Sequence, residues 1–244
     1  MLEYRPGTGL PVTWTGEAES GGSAYGGVRR KCEMGSEIYG VDYALASEGS
    51  FGFPGFTPFR PRYHEVLHFI DRRRDCRLSI THHSEKTNYR MQVVDALEEL
   101  EEFAARAKFP SHAPVLQPND DKDKGVVFEG INTQDGLETA FEESLRHSKY
   151  GKVWVQTDMR AHMNPSRMAV IGEVGDHLAR RLATACPACG APGWGSIGVG
   201  GDTLRAETDR MVAFGISGCV LCRYTEAMPH LDETLARSQG HGVK

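Results

Sequence analysis

Hydrophobic residues return along this chain at two different intervals, and the switch between them marks out its elements. Val93, Leu97, Leu100, Phe103 and Ala107 recur at three- and four-residue steps against a glutamate-rich opposite face. That spacing puts one stripe of a helix inward and predicts a helix over 93–107. Met168, Ile171, Val174, Leu178 and Leu182 predict a second helix. Leu137, Phe141 and Leu145 predict a third, opened by Thr133, whose hydroxyl suits an N-cap. A short helix carrying Arg29, Arg30 and Lys31 is expected over 28–39. Between these lie brief apolar runs that read as strands: 43–46, 113–116, 126–128 and 153–155. Short strands alternating with amphipathic helices give an α/β fold, a mixed sheet flanked by helices, over residues 1–184. Residues 1–27 and 53–61, rich in small residues and in proline and phenylalanine respectively, read as loops.

One stretch fits two periods. His64-Glu65-Val66-Leu67-His68 matches HExxH, the helical zinc-peptidase pattern in which two histidines one turn apart bind the metal and the glutamate acts as base. Tyr63, Val66, Leu67 and Ile70 would share one helix face. The same residues also read as a strand paired with 77–80, in which the histidines are too far apart to share an ion. Metallopeptidase activity is therefore the lesser expectation.

Composition narrows the class. The 244 residues carry a formal net charge of −5, which offers no global attraction to nucleic acid or membrane surfaces. No apolar run approaches the roughly 20 residues a membrane helix requires, and the chain reads as a soluble cytoplasmic protein without a signal peptide. Four of the six cysteines form two CxxC pairs, Cys186–Cys189 and Cys219–Cys222. Each pair turns two thiolates toward one centre, and two pairs make a tetrahedral sulfur site suited to structural zinc. A zinc ribbon is expected over 185–228, followed by a flexible tail over 229–244. Mixed charges on the ribbon disfavour a phosphate-tracking surface, so its expected role is to cap the α/β domain or to join two copies as a homodimer. Cys32 and Cys76 have no partner by spacing and read as ordinary thiols.

Candidate chemistry concentrates in Thr157-Asp158-Met159-Arg160-Ala161-His162-Met163-Asn164-Pro165-Ser166-Arg167. Pro165 suits the first helical position and Asn164 the N-cap. An acid, two arginines, a histidine and an amide thus crowd a strand-to-helix turn. In an α/β fold that is the carboxyl edge of the sheet, where ligands bind, and a helix N-terminus there favours an anion. Ser47-Glu48-Gly49-Ser50-Phe51-Gly52 reads as a small-residue turn, with a carboxylate planted in it, that admits a ligand close to the backbone. Lys124-Gly125 is a further phosphate-binding candidate, and His112 follows a helix end as a candidate ligand or base.

The stretches 46–52, 108–112 and 157–167, together with the CPxC knuckle, resemble in order and content a bacterial family of unknown function that pairs an α/β domain with a C-terminal zinc ribbon. That resemblance spans about 15–224 and implies no settled activity. A fainter one underlies it. Gly16-Glu17, Arg30-Lys31 and Ala46-Ser47-Glu48-Gly49 are similar in order to inosine-triphosphate pyrophosphatase-like folds. This likeness implies Glu17 and Glu48 as Mg²⁺ ligands and Lys31 as a phosphate contact.

The leading expectation is a metal-dependent hydrolase acting on a nucleotide-like or phosphorylated small molecule. Glu48 and Asp158, with Glu17, would hold Mg²⁺ or Mn²⁺. Lys31, Arg160 and Arg167 would clamp phosphate, helped by Ser47, Ser50 and Asn164. His162 or His112 would be the general acid or base. The alternative is a non-catalytic module whose ribbon binds nucleic acid or protein.

Overall fold

A computed structural model describes residues 24–52, 62–119, 126–204 and 211–228. The elements run α1 (Ala24–Tyr39), β1 (Tyr43–Gly52), β2 (Arg62–Asp71), β3 (Cys76–Ser84), β4 (Met91–Val94), α2 (Leu97–Ala107), β5 (Pro114–Pro118), α3 (Gln134–His147), β6 (Val153–Thr157), α4 (Pro165–Ala183), β7 (Gly195–Leu204), β8 (Met211–Gly218) and β9 (Thr225–Met228). The strands divide among three three-stranded sheets, ordered β1-β2-β3, β4-β6-β5 and β7-β8-β9. Helices and small sheets are both present, as the α/β reading expects. The single mixed sheet is not: in both sheets whose pairings are resolved, every pair is antiparallel. Contacts group the chain into two compact units. One comprises Ser84–Gly172 with the described parts of 50–63; the other comprises Ala24–Gly49, His64–His83 and the described part of 173–244.

The first unit is built on β6. Its residues alternate buried and half-buried from Val153 to Thr157, the period-two pattern of a strand with one face inward. As the central strand it pairs Val155 with Gln92 of β4 and with Leu116 of β5. On α2, Leu100, Phe103, Ala104 and Ala107 are buried; on α3, Leu137, Ala140, Phe141 and Ser144. Both sets follow the i, i+3, i+4, i+7 rule for one helix face, and their apolar members join Val94, Leu116, Ile131, Val153 and Val155 in one core. Thr133 caps α3, its Oγ1 accepting from the Gly136 N–H at 3.2 Å.

Several element assignments change, among them the strand expected over 126–128, which is reduced to a single bridge between Phe128 and Leu116. The helix expected from Val93 begins instead at Leu97, and Met91–Val94 is strand β4; two adjacent valines favour the extended chain. Ser47–Gly52 is not a turn but the second half of β1. HExxH lies on β2, the central strand of its sheet. On α4, Val170, Val174 and Leu178 are buried while Met168 is half exposed, so the inward stripe starts one step off the predicted one.

In the second unit, α1 is tied to its sheet by the Lys31–Glu48 ion pair and by the Cys32 thiol, which donates to the His68 carbonyl at 3.5 Å. Burial pushes the Cys32 thiol up to about 11. Asp71 closes the β2–β3 turn, accepting from the Arg73 and Arg74 amides at 3.0 and 3.2 Å and from the Arg74 guanidinium at 2.8 Å. No helix among the described residues is long and apolar enough to cross a membrane. The N-terminal loop expected over 1–27 is helical from Ala24, where α1 begins; residues 1–23, the 53–61 loop, Lys124-Gly125 and the 229–244 tail lie outside the described residues.

Candidate functional site

The two CxxC segments fold into matching turns. Cys186 N–H donates to the Ala191 carbonyl at 2.7 Å and Gly190 N–H returns to the Cys186 carbonyl at 2.8 Å; Cys219 and Arg223 repeat both bonds, with Tyr224 and Cys219, at 2.9 and 3.1 Å. The residue after each second cysteine turns left-handed, Gly190 at φ +71° and Arg223 at φ +63°. A tetrahedral site with Zn–S bonds of about 2.3 Å has S···S edges of about 3.8 Å. The Cys186–Cys222 and Cys189–Cys219 sulfurs lie 3.7 Å apart, and all four fall within 4.8 Å of one another. Four thiols at that spacing could hold one zinc ion and would leave no ligand position for water. Burial raises the Cys219 thiol, but the Cys222 and Leu221 amides donating to its sulfur outweigh that and bring it down to about 7. It is the one cluster of three or more metal-ligating side chains among the described residues.

The 157–167 turn is a dense polar cluster in the first unit. Asp158, 2% exposed, is clasped by Arg160, whose Nε lies 3.1 and 3.0 Å from its two carboxylate oxygens and whose Nη2 lies 2.6 Å away. Arg160 Nη1 reaches Glu129 at 2.6 Å, making an acid–guanidinium–acid triad. Asn164 is fully buried. Its Nδ2 donates to Asn88 Oδ1 at 2.9 Å and to the Asp158 carbonyl at 3.0 Å, and its Oδ1 accepts from the Arg167 N–H at 3.0 Å. It caps α4 as its sequence position predicts. Arg167 donates to the Met159 carbonyl at 2.5 Å and stands over the Phe51 ring, 5.5 Å from its centroid.

The first turn of α4 holds its own donors. Pro165 has no N–H, Arg167 N–H goes to Asn164, and Ser166 N–H goes to His112 Nε2 at 3.2 Å. The expected anion site at this helix end is therefore already filled by side chains. Nor is the turn the carboxyl edge of a parallel sheet, since β6 runs antiparallel to both neighbours; the ligand-site rule for parallel sheets does not reach it.

His112 is 5% exposed and bonded on both nitrogens: Nδ1 lies 2.9 Å from Ser111 Oγ, and Nε2 lies 2.8 Å from Ser166 Oγ. Ser111 Oγ in turn donates to the Lys108 carbonyl at 2.7 Å. Because Nε2 accepts the Ser166 amide, the ring proton belongs on Nδ1. Burial first, and the Lys108 charge second, hold the imidazole below its ordinary value. His112 is thus a neutral acceptor aimed at a serine hydroxyl.

Lys31 and Glu48 belong to the second unit, where they pair with each other. Ser47 is half-buried and Ser50 exposed on β1; His162 is exposed in the 3₁₀ turn Ala161–Met163. Glu17 lies outside the described residues. His64 and His68 stand four strand residues apart, roughly 13 Å by extended-chain rise, and have different partners. The His64 ring stacks on His83 at 4.5 Å, while His68 Nδ1 meets Ser79 Oγ at 2.8 Å. Burial lowers both. The helical geometry that HExxH requires is absent.

Ser111, Ser166 and Glu129 were not marked by the sequence. Ser166 carried one readable signal, a hydroxyl in the first turn of a capped helix; Glu129, 31 residues from Arg160, carried none. Two shallow grooves adjoin α3. One, of about 460 Å³, includes Phe128, Glu129 and Ile131 in its wall; the other, of about 570 Å³, runs past Phe109 and Pro110.

A family model described as a domain of unknown function (DUF6671) matches residues 31–230, and the chain belongs to that family. No curated protein and no solved structure matches it.

Proposed function

We propose that this member of the DUF6671 family is a hydrolase acting on a phosphorylated or nucleotide-like small molecule, with His112 as its general base. The observation that carries the reading is the state of His112, a neutral imidazole with Nε2 set 2.8 Å from a hydroxyl. A ring that is unprotonated at neutral pH and held in hydrogen-bond reach of the group it deprotonates is what a general base requires. Arg160 and Arg167, on the 157–167 turn with Ser166, would meet the anionic part of a substrate, and the Phe128–Glu129 groove adjoins the Arg160 triad.

Mg²⁺ or Mn²⁺ would enter this scheme as counter-ion to the substrate's phosphates, bound through one or two carboxylates at most. Asp158 and Glu48 are each engaged by a cationic side chain, and a divalent ion would have to displace that cation. The reading is tested by incubating zinc-loaded protein with Mg²⁺ or Mn²⁺ and a broad pool of nucleotides and sugar phosphates, followed by mass spectrometry. A metabolite consumed by wild type and spared by His112→Asn is the expected result; an unchanged pool from folded protein would overturn the reading. Glu48→Gln examines the metal role separately, since undiminished turnover would remove Glu48 from it.

A second reading, a binding module without catalysis, is favoured by Ile197, Tyr224 and Met228 near the cysteine knuckles, which are 53, 40 and 55% exposed. Apolar exposure on a chain of net charge −5 suits a protein partner better than nucleic acid. Salt-sensitive binding of DNA or RNA that is lost in Cys219→Ser would support the nucleic-acid form; failure to bind at every salt concentration would remove it.

A further inference from the structure

We propose that Ser166 is a covalent nucleophile, its Oγ activated by His112 and His112 oriented by Ser111, so that turnover passes through an ester on Ser166. The proposal rests on the hydrolase reading above and adds to it the group that attacks.

The argument is one of direction. Every bond in the Ser166–His112–Ser111–Lys108 chain has a determined donor. The Ser166 amide donates to Nε2 at 3.2 Å, which fixes that nitrogen as an acceptor. The ring proton then lies on Nδ1 and is donated to Ser111 Oγ at 2.9 Å. Ser111 passes its own proton to the Lys108 carbonyl at 2.7 Å. The remaining bond, 2.8 Å between Ser166 Oγ and Nε2, therefore has the hydroxyl as donor. A nucleophile within reach of a base, itself oriented by a third group, is the general pattern of activated serine. Accessibility agrees with it: Ser166 is half-buried, whereas His112 is 5% exposed. Ser111 is a positioning residue, and its uncharged hydroxyl stabilises the imidazolium less than a carboxylate would.

The step balances. Ser166 Oγ forms a bond to phosphorus as the bond from phosphorus to the leaving oxygen breaks, and the hydroxyl proton moves to His112 Nε2. The imidazolium returns that proton to the leaving oxygen. A water molecule, deprotonated by His112, then cleaves the phosphoserine, releasing phosphate and restoring the hydroxyl.

The test is labelling of the full, zinc-loaded chain with a fluorophosphonate, which forms an Oγ–P bond with loss of fluoride and needs no natural substrate. A single adduct mapped to Ser166, absent in Ser166→Ala and formed at least about 100-fold more slowly in His112→Asn, is expected. Ser111→Ala, which leaves the His112–Ser166 contact in place, should slow labelling about tenfold and move the midpoint of its pH profile. No adduct on Ser166 in folded protein, or an unchanged rate in His112→Asn, would overturn the proposal. Labelling with an unchanged metabolite pool would retain the nucleophile and remove the phosphorylated-substrate reading. A consumed pool with full turnover in Ser166→Ala would do the reverse, leaving His112 to activate water.

Discussion

Replacing Asn164 by alanine removes a cap and two side-chain donations together, and the structure sets how much each is worth. Loss of the Oδ1 bond to the Arg167 N–H costs about 1 kcal/mol, the usual value for an N-cap. Loss of Nδ2 leaves the Asp158 carbonyl without this donor beside a fully buried side chain, at about 1–3 kcal/mol. Asn88 is only half-buried, so water can replace its share at little cost. The expected total is about 3 kcal/mol, which shifts the urea midpoint down by about 1–2 M for an ordinary slope. Asn164→Ser retains a cap acceptor and should recover about 1 kcal/mol of the loss. Urea melts of the three proteins, followed by far-ultraviolet circular dichroism, make the comparison. An alanine variant within about 0.5 kcal/mol of wild type, or a serine variant no better than alanine, would refute the idea that Asn164 organises this turn.

Two further outcomes follow from the same geometry. Metal analysis should find one zinc per chain, lost in Cys219→Ser and retained in His64→Ala; a second zinc dependent on His64 would restore the HExxH reading. Acidification should destabilise the chain. His68 and His112 are both held below 6.5 when folded, so between their folded and unfolded values the unfolded chain binds more protons. Their contribution is complete above about pH 6.5 and is lost as pH falls through the folded values, each steepening the decline by up to about 1.4 kcal/mol per pH unit. Equilibrium unfolding from pH 8 to 5 measures this; stability unchanged to pH 5 would contradict it.

The legible parts of the sequence were those governed by short-range rules. Thr133 and Asn164 are caps because the acceptor and its amide lie three residues apart, and the two CxxC turns are each closed within five or six residues. The inward faces of α2 and α3 were readable from spacing alone. Sheet organisation was not: Val153–Val155 reads as a strand, but nothing local says that it lies antiparallel between β4 and β5. That omission carried the expected ligand edge away with it. HExxH fitted two periods, and pairing within a sheet decided between them. The site was half visible. His112 was marked as a base, yet its partner Ser166 lies 54 residues away and only the folded chain brings them together. Arg160 and Asp158 read as a phosphate clamp and a metal ligand; two residues apart, they also pair with each other, which the sequence reading did not foresee.

The state of His112 is where the account is most directly open to measurement. Long-range ¹H–¹⁵N correlation spectra of its imidazole, followed through a pH titration, report both the tautomer and the midpoint. The account predicts a proton on Nδ1, an unprotonated Nε2, and a midpoint below the ordinary 6.5. A ring protonated on Nε2, or a midpoint at or above 6.5, would contradict it and leave His112 as a helix cap without a base's role.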